Sequence, residues 1–173
     1  MHDVSVQLET IVRDVLPILR SVTEASAAVA PEPDVWSAKQ VIGHLIDSAS
    51  NNHQRFVRAQ FSDELVFPGY DQETWVRVQA YQQAEWGALL ALWTAYNLHL
   101  ARIIALIPSE VRLRPRSRHN LDQLAWIPVP AGTPATLEYF MDDYVGHLKL
   151  HLRQIFNVLG MPAPAAVTET PAD

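Results

Sequence analysis

The stretch "VWSAKQVIGHLIDSASNNHQRF", residues 35–56, has the pattern of a long helix with a defined start. Ser37 and Gln40 have the spacing of a capping box, in which each side chain satisfies a free backbone donor at the beginning of a helix. Apolar residues then recur every three or four positions to about Gln60, which places them on one face. The stretch therefore predicts a helix that starts at Ser37 and carries His44 one turn inside its beginning.

The same periodicity predicts one further helix before this one and one after it. The first runs from residue 4 to about residue 28 and contains Pro17, which should kink or interrupt it. The third helix runs from about Gln82 to Ile107, after a short helical piece around residues 73–78. Pro108 closes it.

The last helix is predicted to begin at Thr133, a helix cap followed by Pro134 at the first helical position, and to end at Gly160. The proline-rich connection before it exceeds the usual bundle loop of ~2–8 residues, so we expect it to lie across one mouth of the bundle. We predict an all-α, four-helix bundle with a long connection between helices three and four. Residues 1–160 form its single domain, and residues 161–173 are expected to be a disordered tail.

The composition of the chain indicates a globular protein without the positive charge that would attract polyanions. It has 173 residues, a formal net charge of −6 and no cysteine. The charge disfavours nucleic acid and anionic membranes as partners. The absence of a leader pattern and of an uninterrupted apolar span predicts a cytoplasmic location. Without cysteine, any thiol chemistry requires a thiol supplied by a ligand.

The last helix contains "GHLKLHLRQIF", in which His147 and His151 are four residues apart. This spacing puts both imidazoles on nearly the same helix face, where they could bind one metal ion. The pair alone could equally be polar helix surface, because short motifs of this kind arise by chance. His44 could supply a third nitrogen from the second helix, or be a buried histidine with a hydrogen-bond partner. His99 is a reserve candidate, and His53 is predicted to lie on the opposite side of the second helix from His44.

Several polar residues have the spacing to assist such a site. Asp47 and Ser48, one turn after His44, and Asp143, one turn before His147, could orient the imidazoles or be ordinary surface residues. Arg55 lies on the His44 side of its helix and could receive an anionic substrate group at the bundle mouth, or be a solvated surface arginine.

Arginines alternate through the long connection, at positions 112, 114, 116 and 118. They could form a positive patch for a carboxylate-bearing thiol, or they could pair with acidic residues of the chain itself.

Together, the segments at residues 35–56 and "LEYFMDDYVGHLKLHLRQI", with "YDQETW" between them, resemble the DinB-like superfamily of four-helix-bundle metalloproteins and its YfiT-like branch. The resemblance implies that a divalent metal is held by His44, His147 and His151. The ligand set favours zinc or nickel and tolerates iron or manganese.

The resemblance favours a metal-dependent thiol transferase or a hydrolase that acts on a small molecule. Its catalytic residues are not identified by the sequence, and Asp47, Arg55 and Asp143 are candidates because of their spacing from the histidines. The resemblance also implies a homodimer, and a low-molecular-weight thiol as one possible co-substrate. The alternative is a helical module that binds a metal or small ligand without turnover.

Overall fold

The computed structural model describes residues 3–168, and it shows a helical fold without extended strands over that range. The helices are α1 (Val4–Arg20), α2 (Glu24–Ala27), α3 (Ala38–Ala59), α4 (Gln72–Val78), α5 (Trp86–Leu106), α6 (Ser109–Arg112), α7 (Leu121–Leu124), α8 (Leu137–Val158) and α9 (Ala165–Thr168).

The four long helices α1, α3, α5 and α8 pack in a closed ring around one core. Helix α1 contacts α5, α5 contacts α3, α3 contacts α8, and α8 returns to α1. Trp93, Phe56 and Phe156 are among the largest side chains that are fully buried between them. Burial of such aromatic side chains is the main force that holds a bundle together. The predicted four-helix bundle, with its long connection between the third and fourth long helices, is confirmed.

The beginning of α3 follows the capping pattern read from the sequence. The Ser37 hydroxyl accepts a hydrogen bond from the Gln40 backbone N–H, and the Gln40 side chain accepts one from the Ser37 N–H at 3.0 Å. The Ser37 hydroxyl also donates to the Gln82 side chain at 2.6 Å, which ties this helix start to the segment before α5. The local signal and the tertiary contact thus agree, and the predicted helix start at Ser37 is confirmed.

The first predicted helix is shorter than expected. Helix α1 continues through Pro17 but ends at Arg20, one turn after the position where proline removes a backbone donor. Thr23 then caps the separate short helix α2, with its hydroxyl accepting from the Ser26 N–H at 3.1 Å. The prediction of one helix to residue 28 was therefore wrong, because α1 ends at Arg20 and Thr23 caps a second, separate helix.

The third predicted helix begins later than expected, at Trp86 rather than Gln82. Ala80 has a left-handed φ of 52°, and Tyr81–Gln83 form a single 3-10 turn. The left-handed backbone conformation is sterically costly for a residue other than glycine, so tertiary contacts must hold Ala80 in it. Those contacts come from the neighbours of Ala80, as described below for Asp47.

The last long helix is capped by Thr136 and not by Thr133. Thr136 accepts a hydrogen bond from the Tyr139 N–H at 3.1 Å, and the helix starts at Leu137. The two backbone groups of Ala135 pair with Arg116 in an isolated antiparallel bridge. This bridge keeps the chain extended through the predicted first turn, so the contact with Arg116 decides between two equally good caps.

The chain after α8 is partly packed instead of disordered. Helix α9 contacts α8 and α1, and its Val167 is fully buried. Arg153 donates a hydrogen bond to the Val167 carbonyl at 2.9 Å. The prediction of a disordered tail was therefore wrong for residues 165–168, and residues 169–173 lie outside the described part of the chain.

Helix α5 is long and apolar enough to cross a membrane, by length and composition alone. A core helix of a soluble helical bundle can have the same length and apolar composition. Here α5 packs against both α1 and α3, with Trp93 and Asn97 fully buried.

Gly43 provides a direct test of this packing. A Cβ atom at this position would lie 2.1 Å from the Tyr81 ring, which is closer than packed atoms can approach. We expect Gly43→Ala to lower the free energy of unfolding by about 1–3 kcal/mol, measured by urea denaturation. The matched control is Gly87→Ala in α5, where a Cβ has no neighbour within 4 Å, and its stability should be unchanged or slightly higher. Equal effects at the two glycines would contradict this packing.

Candidate metal centre

Three imidazoles converge between α3 and α8. The Nε2 atom of His147 lies 3.4 Å from that of His44 and 3.1 Å from that of His151. The His44 and His151 rings are 4.5 Å apart between centroids. An ion with metal–nitrogen bonds of about 2.0–2.1 Å holds its ligands roughly 2.9–3.4 Å apart. The spacing of the nitrogens therefore fits one shared metal ion.

Glycines precede the first histidine of each helix and let other segments approach the cluster. Gly43, before His44, lies against the Tyr81 ring, and a Cβ on Gly146, before His147, would come within 2.9 Å of the Trp126 ring. A side chain at either position would push the neighbouring aromatic away. The Gly-His dipeptide in both helices is thus a packing requirement of the cluster.

Burial keeps the three imidazoles neutral. Desolvation, aided by the charge of His151, lowers the pKa of His44 to about 4. Desolvation and the two neighbouring imidazoles lower the pKa of His147 to about 3. Desolvation also lowers the pKa of His151. Neutral imidazoles have a free lone pair, so a metal does not have to displace a proton at neutral pH.

The partners of the other ring nitrogens differ from expectation. The Nδ1 atom of His151 contacts the Gln154 side chain at 2.9 Å, which orients that ring. His44 Nδ1 is buried without a hydrogen-bond partner among the described residues. Asp47, Ser48 and Asp143 form no hydrogen bond to the imidazoles in the described structure, and all three are buried. Neither alternative that their spacing left open, an imidazole partner or an ordinary surface residue, describes them.

Asp47 is instead the anchor of the turn that precedes α5. Its Oδ1 accepts hydrogen bonds from the Tyr81 hydroxyl and the Gln79 side-chain amide, each at 2.7 Å. These donors flank Ala80, so their bonds to one carboxylate help hold its left-handed backbone. Burial raises the pKa of Asp47, although both hydrogen bonds oppose this shift.

Asp143 anchors the long connection to α8. Its carboxylate accepts hydrogen bonds from the backbone N–H of Trp126 at 2.9 Å and of Ile127 at 2.7 Å. Desolvation raises the pKa of Asp143, and the two backbone donors act in the opposite direction. Asp143 therefore fixes the position of the connection beside His147, one turn away.

A cavity of about 330 Å³ opens beside the histidines. His44 and His147 form part of its wall, and Phe140 and Tyr144 of α8 contribute aromatic surface. The long connection closes one side, as predicted from its length. The remaining lining residues are Ser48, Asn52, Arg55, Gly69, Tyr70, Gln72, Gln123, Leu124, Ala125, Trp126 and Asp143.

Arg55 lies in this wall, on the His44 side of α3 as the helical periodicity predicted. It is only 7% exposed. Its guanidinium donates to the Pro68 carbonyl at 3.0 Å and approaches the Asn52 side-chain oxygen at 3.4 Å. Asp47, the other candidate catalytic residue of α3, does not line the cavity.

The alternating arginines of the connection are occupied by acidic side chains and carbonyls of the chain itself. The Arg116 guanidinium is buried and donates to the Ala59 carbonyl at 3.1 Å. None of the four arginines lines the cavity, and three of them pair with acidic residues of the chain itself, which was the second of the two alternatives that the sequence left open. The ion pairs are Arg112–Glu138, Arg114–Asp63 and Arg118–Glu64.

The other helical histidines lie apart from the cluster. His53 and His99 contact each other with ring centroids 5.2 Å apart, across α3 and α5. In residues 3–168, His44, His147 and His151 form the single group of three potential ligands within 4.8 Å of one another. The reserve candidate His99 is therefore not part of it.

Sequence reasoning missed the residues that shape the cavity from outside the two site helices. Tyr70 and Trp126 line it from the loop after α3 and from the long connection. Tyr70 lies in the "YDQETW" segment, and Trp126 packs on Gly146. The "YDQETW" segment and the glycine before His147 were the available sequence signals. Neither of them indicates that Tyr70 and Trp126 line the cavity beside the histidines.

Comparisons with known proteins agree with the geometry. A sequence model described as the DinB superfamily matches residues 7–155. No curated protein sequence matches significantly. Among solved structures, the chain is similar to YfiT from Bacillus subtilis, with a TM-score of 0.67 and 18% identity over 91% of this chain and 89% of that chain. That protein is described as a probable metal-dependent hydrolase with an unusual four-helix bundle topology. The resemblance seen in the sequence and the bundle fold are both confirmed.

Removal of one imidazole tests the cluster as a metal site. We expect the untagged protein to bind one divalent ion per chain and His147→Ala to weaken zinc binding by more than about 100-fold, because even residues that only orient a ligand contribute 10–100-fold. The measurement is competition with a chromophoric zinc chelator. His53→Ala is the matched control and should bind zinc like the unmodified chain. Equal zinc affinities in the two variants would place the ion elsewhere.

Proposed function

This chain belongs to the DinB superfamily, and we propose that it is a metal-dependent hydrolase whose ion is held by His44, His147 and His151. The observation that carries the proposal is the approach of three neutral Nε2 atoms, at 3.1 and 3.4 Å, beside a cavity of about 330 Å³. The likeness to YfiT, described as a probable metal-dependent hydrolase, supports the same activity class.

The ligand set is that of a catalytic site. Three protein ligands leave coordination positions open, whereas closed structural sites use four. An ion bound there would supply Lewis acidity and would lower the pKa of a coordinated water or thiol. Imidazole ligands favour zinc or nickel and also accept iron or manganese.

The residues around the histidines would position the substrate. Phe140, Tyr144 and Trp126 offer aromatic surface to an apolar portion of a small molecule. Asp143 holds the backbone at Trp126 in place through the two hydrogen bonds described above. The connection therefore provides a fixed wall on one side of the cavity.

A thiol transferase is the second candidate function. The chain has no cysteine, so a thiol that binds the open metal position would have to be a small-molecule co-substrate. The ion would activate that thiol instead of water, with the same three ligands. The low-molecular-weight thiol, the homodimer and the cytoplasmic location stay predictions.

Assays of the metal-loaded protein separate these activities. We expect hydrolysis of members of an ester and amide panel, lost on chelation and restored by zinc or nickel. His147→Ala should lower the rate by at least about 100-fold, because a metal contributes several kcal/mol to the transition state. His99→Ala, in an exposed residue outside the cluster, should retain full activity.

The same assays run with low-molecular-weight thiols and electrophilic acceptors decide between the two candidates. Metal-dependent consumption of the thiol without hydrolysis would replace the hydrolase by the transferase. Stoichiometric metal with turnover in neither assay would contradict both and leave a binding module.

A further inference from the structure

Arg55 is a buried cation without an acidic partner in a cavity wall. Its residue is 7% exposed, and no carboxylate of residues 3–168 lies within ion-pair distance of its guanidinium. The bonds to Pro68 and Asn52 use two of the five N–H donors of a guanidinium. A buried charge is costly unless it is paired, so an anion bound here would be strongly favoured.

Arg55 and the histidines lie at different ends of the same cavity. From His44 to Arg55 the rise along α3 is about 16 Å, and Arg55 leans back toward His44 as helix side chains do. On α8, the guanidinium lies 6.0 Å from the Phe140 ring centroid, while His147 is two turns further along, a rise of about 10 Å. The two binding points are therefore roughly 10 Å apart along the groove between α3 and α8.

The wall between the two ends is mixed in character. Tyr144 and Phe140 supply aromatic surface on one side, and Ser48 and Asn52 supply polar groups along α3. Such a wall suits an extended molecule with an apolar body and a few polar atoms. Asp143 is the carboxylate in the cavity, but both its oxygens accept backbone N–H groups, which partly offset its charge.

We propose that Arg55 is a specificity-determining residue that binds a terminal carboxylate of the substrate, while the group to be cleaved lies at the three histidines. The substrate class is then an extended small molecule with an anionic end, such as an ester or amide of a carboxylic acid with a second, free carboxylate. This inference rests on the proposed function for the identity of the reacting end. The anion site itself depends only on Arg55 and the cavity wall.

The separation between the metal site and Arg55 can be measured with a series of straight-chain hydroxamates of increasing length, each with a terminal carboxylate. The hydroxamate binds the metal, and the carboxylate reaches Arg55 only at a matching length. We expect titration calorimetry on the zinc-loaded protein to show an optimum length at which the carboxylate ligand binds at least about tenfold more tightly than its terminal-amide twin. Arg55→Gln should remove this preference, and Arg55→Lys should retain part of it.

The matched control is Arg58→Gln, an exposed arginine of the same helix that does not line the cavity, and it should keep the full preference. Retention of the preference in Arg55→Gln, or equal binding of carboxylate and amide by the unmodified chain at every length, would overturn the proposal. Circular dichroism of each variant verifies that the helices are intact, and Arg55→Lys provides the test if Arg55→Gln does not fold.

A metal-free arm separates this inference from the proposed function. A simple alkanoate and its amide are titrated into chelator-treated protein, where only the anion site can discriminate. One outcome is that the metal-free protein prefers the carboxylate, that Arg55→Gln removes this preference, and that the metal-loaded protein shows no hydrolysis. That outcome would support the anion site and reject the hydrolase. Hydrolysis with no dependence of KM on Arg55 would support the hydrolase and reject the anion site.

Discussion

Helices α3 and α8 must bring three imidazole nitrogens together in a buried place, and the Nε2 atom of His147 lies within 3.4 Å of those of His44 and His151. His147 and His151 meet this requirement by helical spacing alone, but His44 meets it only if α3 and α8 keep one relative register. Burial prevents these rings from gaining protons, so they do not repel one another as cations would. Packing around them must supply the free energy that holds three polar rings in an apolar setting.

The segments outside the four long helices supply much of that packing. Asp47 binds the turn before α5, and Asp143 binds the long connection, each through two hydrogen bonds. Arg116, a buried residue of the connection itself, donates to the Ala59 carbonyl of α3, and its bridge to Ala135 sets where α8 can begin. Asp47 and Asp143 therefore act on the cluster indirectly. They hold the aromatic residues, Tyr81 and Trp126, that pack against Gly43 and Gly146.

Sequence reasoning succeeded where the deciding interaction is local. The capping box of Ser37 and the shared face of His147 and His151 depend on residues three or four positions apart. It failed where distant chain segments decide, as at Thr133 and Thr136, which are equally good caps until Arg116 pairs with Ala135. Asp143 is the same case, because its spacing to His147 is permissive while its true partners are backbone groups of the connection. His44 was assigned to the metal site through the family resemblance, since periodicity alone left open whether it is a ligand or a buried histidine with a hydrogen-bond partner.

Anomalous diffraction from crystals of the untagged, zinc-loaded protein would locate the bound ion relative to the three imidazoles. We expect an anomalous peak at about 2.0–2.1 Å from the Nε2 atoms of His44, His147 and His151, with an open position directed into the cavity that Arg55 lines. A peak held by other side chains, with no density between the three imidazoles, would contradict the three-histidine metal site.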